Sequence, residues 1–260
     1  MLMTDPKPNE PFEWTQEPWG RALRCSALHA PHLFTSRDVT LRADEGEWAA
    51  VSASLGVARD RLLLVKQVHG ARVAVARRGG PAAWPKPEAD IVITDDPSVA
   101  IGVRVADCAP VLLFSAAVNA VAAVHAGWRG TAAGAAAAAV GALAEAFAAQ
   151  PRTIVAAIGP CLGRCCGEVG PDVVDAFVAG GAGAASLRRW FSPGTGDRSF
   201  LDLEGANREQ LEAAGVRAER IFSAGLCTKT HQDRLHSYRG CGNQAGRLLA
   251  AIRCAPSVSG

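Results

Sequence analysis

The sequence predicts an α+β domain, and three observations predict it. Short runs rich in Val, Ile and Leu are interspersed with longer stretches of helical periodicity. The two kinds of stretch do not alternate strictly enough for a doubly wound sheet. No repeat, coiled-coil heptad or long linker divides the 260 residues, a length that can bury one sizeable core as a single domain.

Taken in order, residues 1 to 20 are polar, acidic and Pro-bearing and are expected to be a loosely attached arm, with residues 21 to 260 as the folded domain. A helix is expected over 45–55. Runs 61–65, 73–76, 91–94, 100–105 and 110–115 read as strands, and 121–125 and 154–158 as further apolar runs of buried-strand type. The Ala-rich segment predicts a helix over 131–149, with 135–139 as a close-packed face. Helices are also expected over 171–179, where Val173, Val174 and Phe177 share a face, and over 203–214, where Leu211 stands against polar Asn207 and Arg208. A last helix is expected over 246–253. Gly/Pro-rich breaks at 79–87, 180–183 and 192–196 read as surface loops.

Composition narrows the function classes. Lys and Arg number 27 against 25 Asp and Glu, a formal net charge of +2, which lacks the clustered basic excess of a nucleic-acid binder. The first residues carry no apolar core or small-residue cleavage site of a secretory signal. The longest apolar stretch, after Thr131, is interrupted by Gly134, Gly141 and Glu145, so no membrane helix is expected. The reading is therefore a cytoplasmic protein, monomer or homodimer, acting on small molecules. In a reducing compartment the eight cysteines are ligands, nucleophiles or core residues before they are disulfide halves.

Three segments place a metal-capable side chain at a strand edge. Lys66-Gln67-Val68-His69-Gly70 follows the 61–65 strand, Ala106-Asp107-Cys108-Ala109-Pro110 joins two strands, and His125-Ala126-Gly127-Trp128-Arg129-Gly130 turns a strand into a helix. Strand ends are where a rigid scaffold meets free loops, and sites concentrate there. Singly, such a His is more often a satisfied polar residue and such a Cys a core residue. Their joint occurrence beside Gly and Pro is what singles them out.

The motifs KQVHG, ADIVIT (89–94), VADCAPVLL, VAAVHAGWRGT, AAIGPCLGRCC, GLCT and HSYRG, in that order, resemble the laccase-domain family. That family is also called YfiH-like or multicopper polyphenol oxidase-like, and is commonly assigned as purine nucleoside phosphorylase. The resemblance covers roughly residues 30 to 253, and VHAGWRGT and ADC are its most specific parts. It implies an α+β sandwich of mixed β-sheet and helices, with a metal held by His69, Cys108 and His125. It also implies phosphorolysis of adenosine, inosine, guanosine or methylthioadenosine, with deamination of adenosine.

The residues agree with that chemistry. Two imidazoles and a thiolate suit Zn²⁺ and leave a fourth position open. Zinc there lowers the pKa of water to roughly 7, which serves deamination at neutral pH. Phosphorolysis further needs a cradle for phosphate. Arg129, placed at the N-terminus of the expected helix, is one candidate, and Arg239 and Lys66 match basic positions of the family motif. Asp107 reads equally as a proton carrier or as a backbone acceptor in a turn. Trp128 is expected to pack in the helix–strand seam. Cys161, Cys165 and Cys166 have a C-x₃-C-C spacing that can bind zinc, but with no fourth ligand nearby they are expected to be structural thiols; Cys227 has no evident partner, and His231 and His236 read as solvated loop residues. Two positions depart from the family pattern: Val105 where Thr is common, and Gly240 where a basic residue often follows the Arg of the HSYRG motif.

Other functions compete. His₂Cys is also the equatorial set of a blue-copper site, so Cu²⁺ is possible, but six histidines without close HxH pairs do not make a multicopper oxidase. Cys108 with a histidine base would give an amide hydrolase editing a peptidoglycan precursor, as would zinc. A non-enzymatic metal carrier is the remaining class.

Overall fold

Two six-stranded sheets face each other. In the computed structural model, which describes residues 5–80 and 84–256, the first sheet has the order β1 (Phe12–Glu17), β2 (Gly20–Cys25), β3 (His32–Thr35), β15 (Leu248–Arg253), β7 (Ala100–Val105) and β4 (Leu62–Leu64). The second runs β14 (Ile221–Ser223), β10 (Val155–Ile158), β8 (Ala109–Ser115), β9 (Ala120–Ala126), β6 (Ile91–Thr94) and β5 (Val73–Ala76). A small third sheet orders β11 (Glu168–Val169), β13 (Ser199–Leu201) and β12 (Phe191–Pro193). The pairs β4–β7, β5–β6 and β10–β14 are parallel and the other paired strands are antiparallel.

Period-two alternation decides what lies between the sheets. Ile101, Val103 and Val105 of β7 and Leu248, Ala250 and Ile252 of β15 meet Val92, Leu112, Phe114, Val121 and Ala123 of the second sheet. The residues between them point the other way. On the first sheet, Leu33, Leu249 and Ala251 pack under Trp48 and Val51 of α1 (Glu45–Ala53). On the second, Ile91, Ile93, Val111, Leu113, Ala122 and Val124 pack under α3 (Ala135–Phe147), α4 (Pro171–Ala179) and α6 (Leu203–Ala213). Each buried Leu, Ile, Val or Phe contributes about 1.5–3 kcal/mol, so a one-residue slip of any central strand is strongly opposed. The result is the expected α+β sandwich.

Four expectations change. Residues 246–253 form β15, a strand in the middle of the first sheet, and not a helix. Its LLAAIR run is buried on both faces, and periodicity alone does not separate such a strand from a buried helix. The helix expected over 131–149 begins earlier and breaks in two: α2 (Trp128–Ala132) is separated from α3 by Gly134, which takes φ +75°. The expected arm instead supplies β1, an edge strand hairpinned onto β2 from Phe12↔Cys25 to Glu17↔Gly20; residues 1–4 lie outside the described residues. His236 is buried, not solvated, and bonds the carbonyl of Val39 at 3.0 Å. Of the expected 79–87 loop, residues 81–83 lie outside the described residues. No helix among the described residues is long and apolar enough to cross a membrane.

Candidate metal centre

Strand parity carries the three segments to one rim. In β9, Val121 and Ala123 face the other sheet, while Ala122 and Val124 face the helices. His125 shares the parity of the first pair, so its ring enters between the sheets and is 2% exposed. Cys108, just before β8, shares the parity of Leu112 and Phe114 and packs against the same inter-sheet cluster. The β8–β9 register pairs Ala109 with Ala126 and Pro110 with His125, so Cys108, one residue beyond the ladder, and His125 lie at the same end of it. His69 follows β4, which runs parallel to β7, so the two chain segments emerge side by side. Gln67 locks them: its Nε2 donates to Arg104 O at 2.8 Å, and its Oε1 accepts from Arg104 N at 2.9 Å.

The ligand atoms of His69, Cys108 and His125 all lie within 4.8 Å of one another. The two imidazole rings stand edge to face at 4.8 Å. Behind them is Asp90, fully buried at the start of β6. Its Oδ1 accepts from His125 Nδ1 at 2.8 Å and from His69 N–H at 2.9 Å, and its Oδ2 accepts from Gly70 N–H at 2.7 Å. With Nδ1 so occupied, His125 presents Nε2 to the cluster, the arrangement by which a carboxylate orients a metal-binding histidine. The same carboxylate holds His69 at φ +62°, a left-handed conformation that costs a non-glycine residue free energy. Gly127 has a simple reason here. A Cβ on it would lie 2.7 Å from Cys108 Sγ, so any larger residue would displace the thiol.

The electrostatics follow from this packing. Burial pushes the Cys108 thiol up, but hydrogen bonds and charge from His125 and His69 outweigh it and bring it down to about 7. Burial pushes His125 down, and Asp90 and Cys108 raise it to about 9. Burial likewise raises the Asp90 carboxyl, but His125 and the N–H groups of Gly70 and His69 leave it below the ordinary range. The donor set is thus biased toward a thiolate beside a positive charge, which is what a cation in the same place satisfies.

A cavity of about 680 Å³ opens from this cluster. Its wall carries six cationic side chains, Lys66, Lys86, Arg104, Arg129, Arg239 and Arg247, against the single carboxylate of Asp107. Lys66 is paired with Glu88 at 2.9 Å. Arg129 is exposed and its guanidinium lies 4.0 Å over the Trp128 ring, which is half-buried against the helix side of the second sheet. Trp128 therefore packs in the seam and also lines the cavity. The helix that Arg129 was expected to introduce does not start at Thr131, and α2 spans only five residues, so Arg129 offers the cavity its own charge and not a helix terminus. Arg239 Nη1 donates to the carbonyls of Cys166 at 3.2 Å and Glu168 at 3.0 Å. Asp107, at φ +86°, accepts from Thr228 Oγ1 at 2.6 Å and from Arg239 N–H at 2.5 Å. Both of its carboxylate oxygens are therefore engaged in holding neighbouring chain.

Asp90, Lys86, Arg104 and Arg247 join the site without having been among the expected residues. Asp90 left a signal, being the one charge in the otherwise apolar ADIVIT run, and Arg104 is likewise the one charge in AIGVRV. Lys86 and Arg247 left none, because they reach the cavity only through tertiary folding.

The sandwich gathers two imidazoles and a thiol at one rim, backed by a buried carboxylate, a group of side chains able to hold a metal ion. Residues 37–255 match the family described as multi-copper polyphenol oxidoreductase laccase, and the chain belongs to that family. It is 35% identical to a purine nucleoside phosphorylase of Deinococcus radiodurans, over 88% of this chain and 91% of that one. It is also 35% identical to adenosine deaminase RL5 of an unknown prokaryotic organism, over 78% of each. Among solved structures, YlmD from Geobacillus stearothermophilus superposes with a TM-score of 0.78 at 28% identity, covering 95% of this chain and 100% of that one. The Bacillus licheniformis hypothetical protein YfiH shares the fold with a TM-score of 0.85 at 23% identity, with the same coverage.

Proposed function

We propose that this chain is a zinc-dependent purine nucleoside enzyme that cleaves the glycosidic bond with phosphate and deaminates adenosine. The observation that carries the proposal is the convergence of His69, Cys108 and His125 at the floor of a cavity whose wall is cationic. The names of the relatives from D. radiodurans and of RL5 support the substrate class.

The donor set fits zinc: two imidazoles and one thiolate, with His69 on the exposed side and His125 buried, leaving the cavity side open. Bound there, zinc supplies Lewis-acid polarisation and a lowered pKa for water. The protein's own residues do the rest. Asp90 fixes the tautomer of His125 and the backbone of His69, so that both rings are set before substrate arrives. Arg129, Arg239 and Lys66 hold the phosphate by charge-assisted hydrogen bonds. Asp107 positions Arg239 through its backbone N–H. A 680 Å³ cavity accommodates a nucleoside and phosphate together, within the range of roughly 300–1,000 Å³ usual for small-ligand sites.

One observation favours a second reading. Cys108, His125 and Asp90 form a thiol–imidazole–carboxylate chain, the arrangement of a cysteine nucleophile with an oriented base. One experiment decides between the two. The protein is purified without added metal, its zinc and copper are measured, and adenosine is assayed with and without phosphate. Bound zinc with phosphate-dependent formation of ribose 1-phosphate, and inosine formed without it, supports the zinc enzyme. Full activity of the zinc-free protein, abolished by thiol alkylation, supports the nucleophile.

A further inference from the structure

A second group of soft ligands lies outside the cavity lining, on a turn that adjoins the cavity at Gly167 and Arg239. Cys165 and Cys166 sit in the turn between β10 and β11, and Cys227 follows β14. The two segments run side by side through the parallel bridge Cys161↔Cys227, with Thr228 N donating to Cys161 O at 2.9 Å. This brings the Sγ atoms of Cys165, Cys166 and Cys227 within 4.8 Å of one another, with Cys165 and Cys166 at 3.7 Å. All three are free thiols. Thr230 Oγ1 stands 3.6 Å from Cys165 Sγ and 3.7 Å from Cys166 Sγ. The backbone N–H groups of Thr230 and Gly163 are directed at Cys227, an arrangement that favours its thiolate. Gly163 also clears the space: a Cβ there would lie 3.0 Å from Cys227 Cβ and 3.5 Å from the Sγ atoms of Cys165 and Cys227.

We propose that Cys165, Cys166 and Cys227 form a second metal site, a three-thiolate site for Cu(I). A metal–sulfur distance of about 2.3 Å puts neighbouring thiolates about 3.8–4.0 Å apart in tetrahedral or trigonal geometry. The Cys165–Cys166 separation already meets this, and Cys227 reaches it by a shift of under about 1 Å. Soft thiolates select Cu(I) and Zn²⁺ among biological ions. The ligand count separates these two. Closed zinc sites take four protein ligands, and no fourth His, Cys, Asp or Glu among the described residues joins this group. Cu(I) is content with three thiolates in a plane. The contrast with the cavity is chemical: the His₂Cys set is borderline and suits zinc, while the thiol set is soft and suits copper. The second site needs nothing from the first.

The test uses the full chain under anaerobic, reducing conditions. Cu(I) is titrated against a chromophoric Cu(I) chelator, bound metal is counted by mass spectrometry of the elements, and protected thiols are mapped by alkylation. Cys108→Ser removes a cavity ligand, and Cys165→Ser/Cys166→Ser removes the second site. The proposal expects the C108S protein to hold one Cu(I) equivalent that protects Cys165, Cys166 and Cys227 together. It expects the double variant to lose that equivalent while retaining its cavity metal and melting temperature. It is overturned if the C108S protein takes up no Cu(I), if the double variant keeps the equivalent, or if zinc occupies the thiols and excess Cu(I) does not displace it. A disulfide within the trio that persists under these reducing conditions also overturns it. Purine chemistry undiminished in the C108S protein, with the Cu(I) equivalent intact, would speak against the cavity reading alone.

Discussion

The cavity cluster and the thiol cluster each gather three soft or borderline ligands within the same span, yet they are built differently. His69, Cys108 and His125 stand at the ends of strands whose register is fixed by two packed sheets, and a fully buried carboxylate ties two of them from behind. Cys165, Cys166 and Cys227 stand on turns, held by a single bridge, a threonine hydroxyl and two backbone N–H groups. The first arrangement is preorganised by the core, and the second by one bridge between two turns and a few polar contacts. A ligand set on rigid strands is suited to chemistry that needs fixed geometry, whereas a set on turns adapts its geometry to the ion.

The comparison is tested most severely by removing a cavity ligand. Cys108→Ser is expected to lose bound zinc and to lower kcat/KM by more than the roughly 100-fold that marks loss of a ligand's supporting partner. Metal analysis and nucleoside assays read this, and far-UV circular dichroism should be unchanged because the sheets remain packed. Next is Asp90→Asn, which keeps the shape but removes the charge behind His125. Zinc affinity measured by chelator competition is expected to fall about 10- to 100-fold. An affinity equal to that of the unaltered protein would show that the buried carboxylate does not distinguish the two clusters. Arg129→Ala is expected to raise KM for phosphate about tenfold with kcat little changed, the loss of one charge-assisted contact.

His32 supplies the smallest effect and a control on pH. It is buried like His125 but has no carboxylate behind it: its Nδ1 donates to Ala30 O at 2.7 Å and its Nε2 accepts from Cys25 N at 2.9 Å. Burial pushes it down to about 4. Because the folded value lies below the unfolded value of about 6.5, its stabilising neutral form is fully present above pH 6.5, and the contribution is lost as pH falls from there toward 4. Denaturation midpoints should decline across that window, and His32→Gln should flatten the decline. A decline unchanged in H32Q would place its source elsewhere.

Much of this was legible in the residues. The strands 73–76, 91–94 and 100–105 and the helix 171–179 coincide with their sequence patterns, because each is an apolar run bounded by turn residues or a clear amphipathic face. β15 was not legible, since LLAAIR is apolar on every side and nothing local favours extension. β1 was hidden by its polar alternation, which reads as a loop until a neighbouring strand supplies its hydrogen bonds. Of the site, His69, Cys108 and His125 were visible as ligand types beside turn residues. Asp90 showed only as an acid in an apolar run, and the partnership of Cys227 with Cys165 and Cys166 did not show at all.

The sequence by itself determined the α+β character, the metal-capable side chains and the turns that present them, because these depend on residue type and near-neighbour spacing. Tertiary structure alone decided which of those side chains share a face, which acid stands behind which imidazole, and which thiols meet across 61 or more residues of chain, from Cys166 to Cys227. The physical reason is that strand parity and register, fixed by burial over the whole of two sheets, convert positions remote in sequence into neighbours a few ångströms apart.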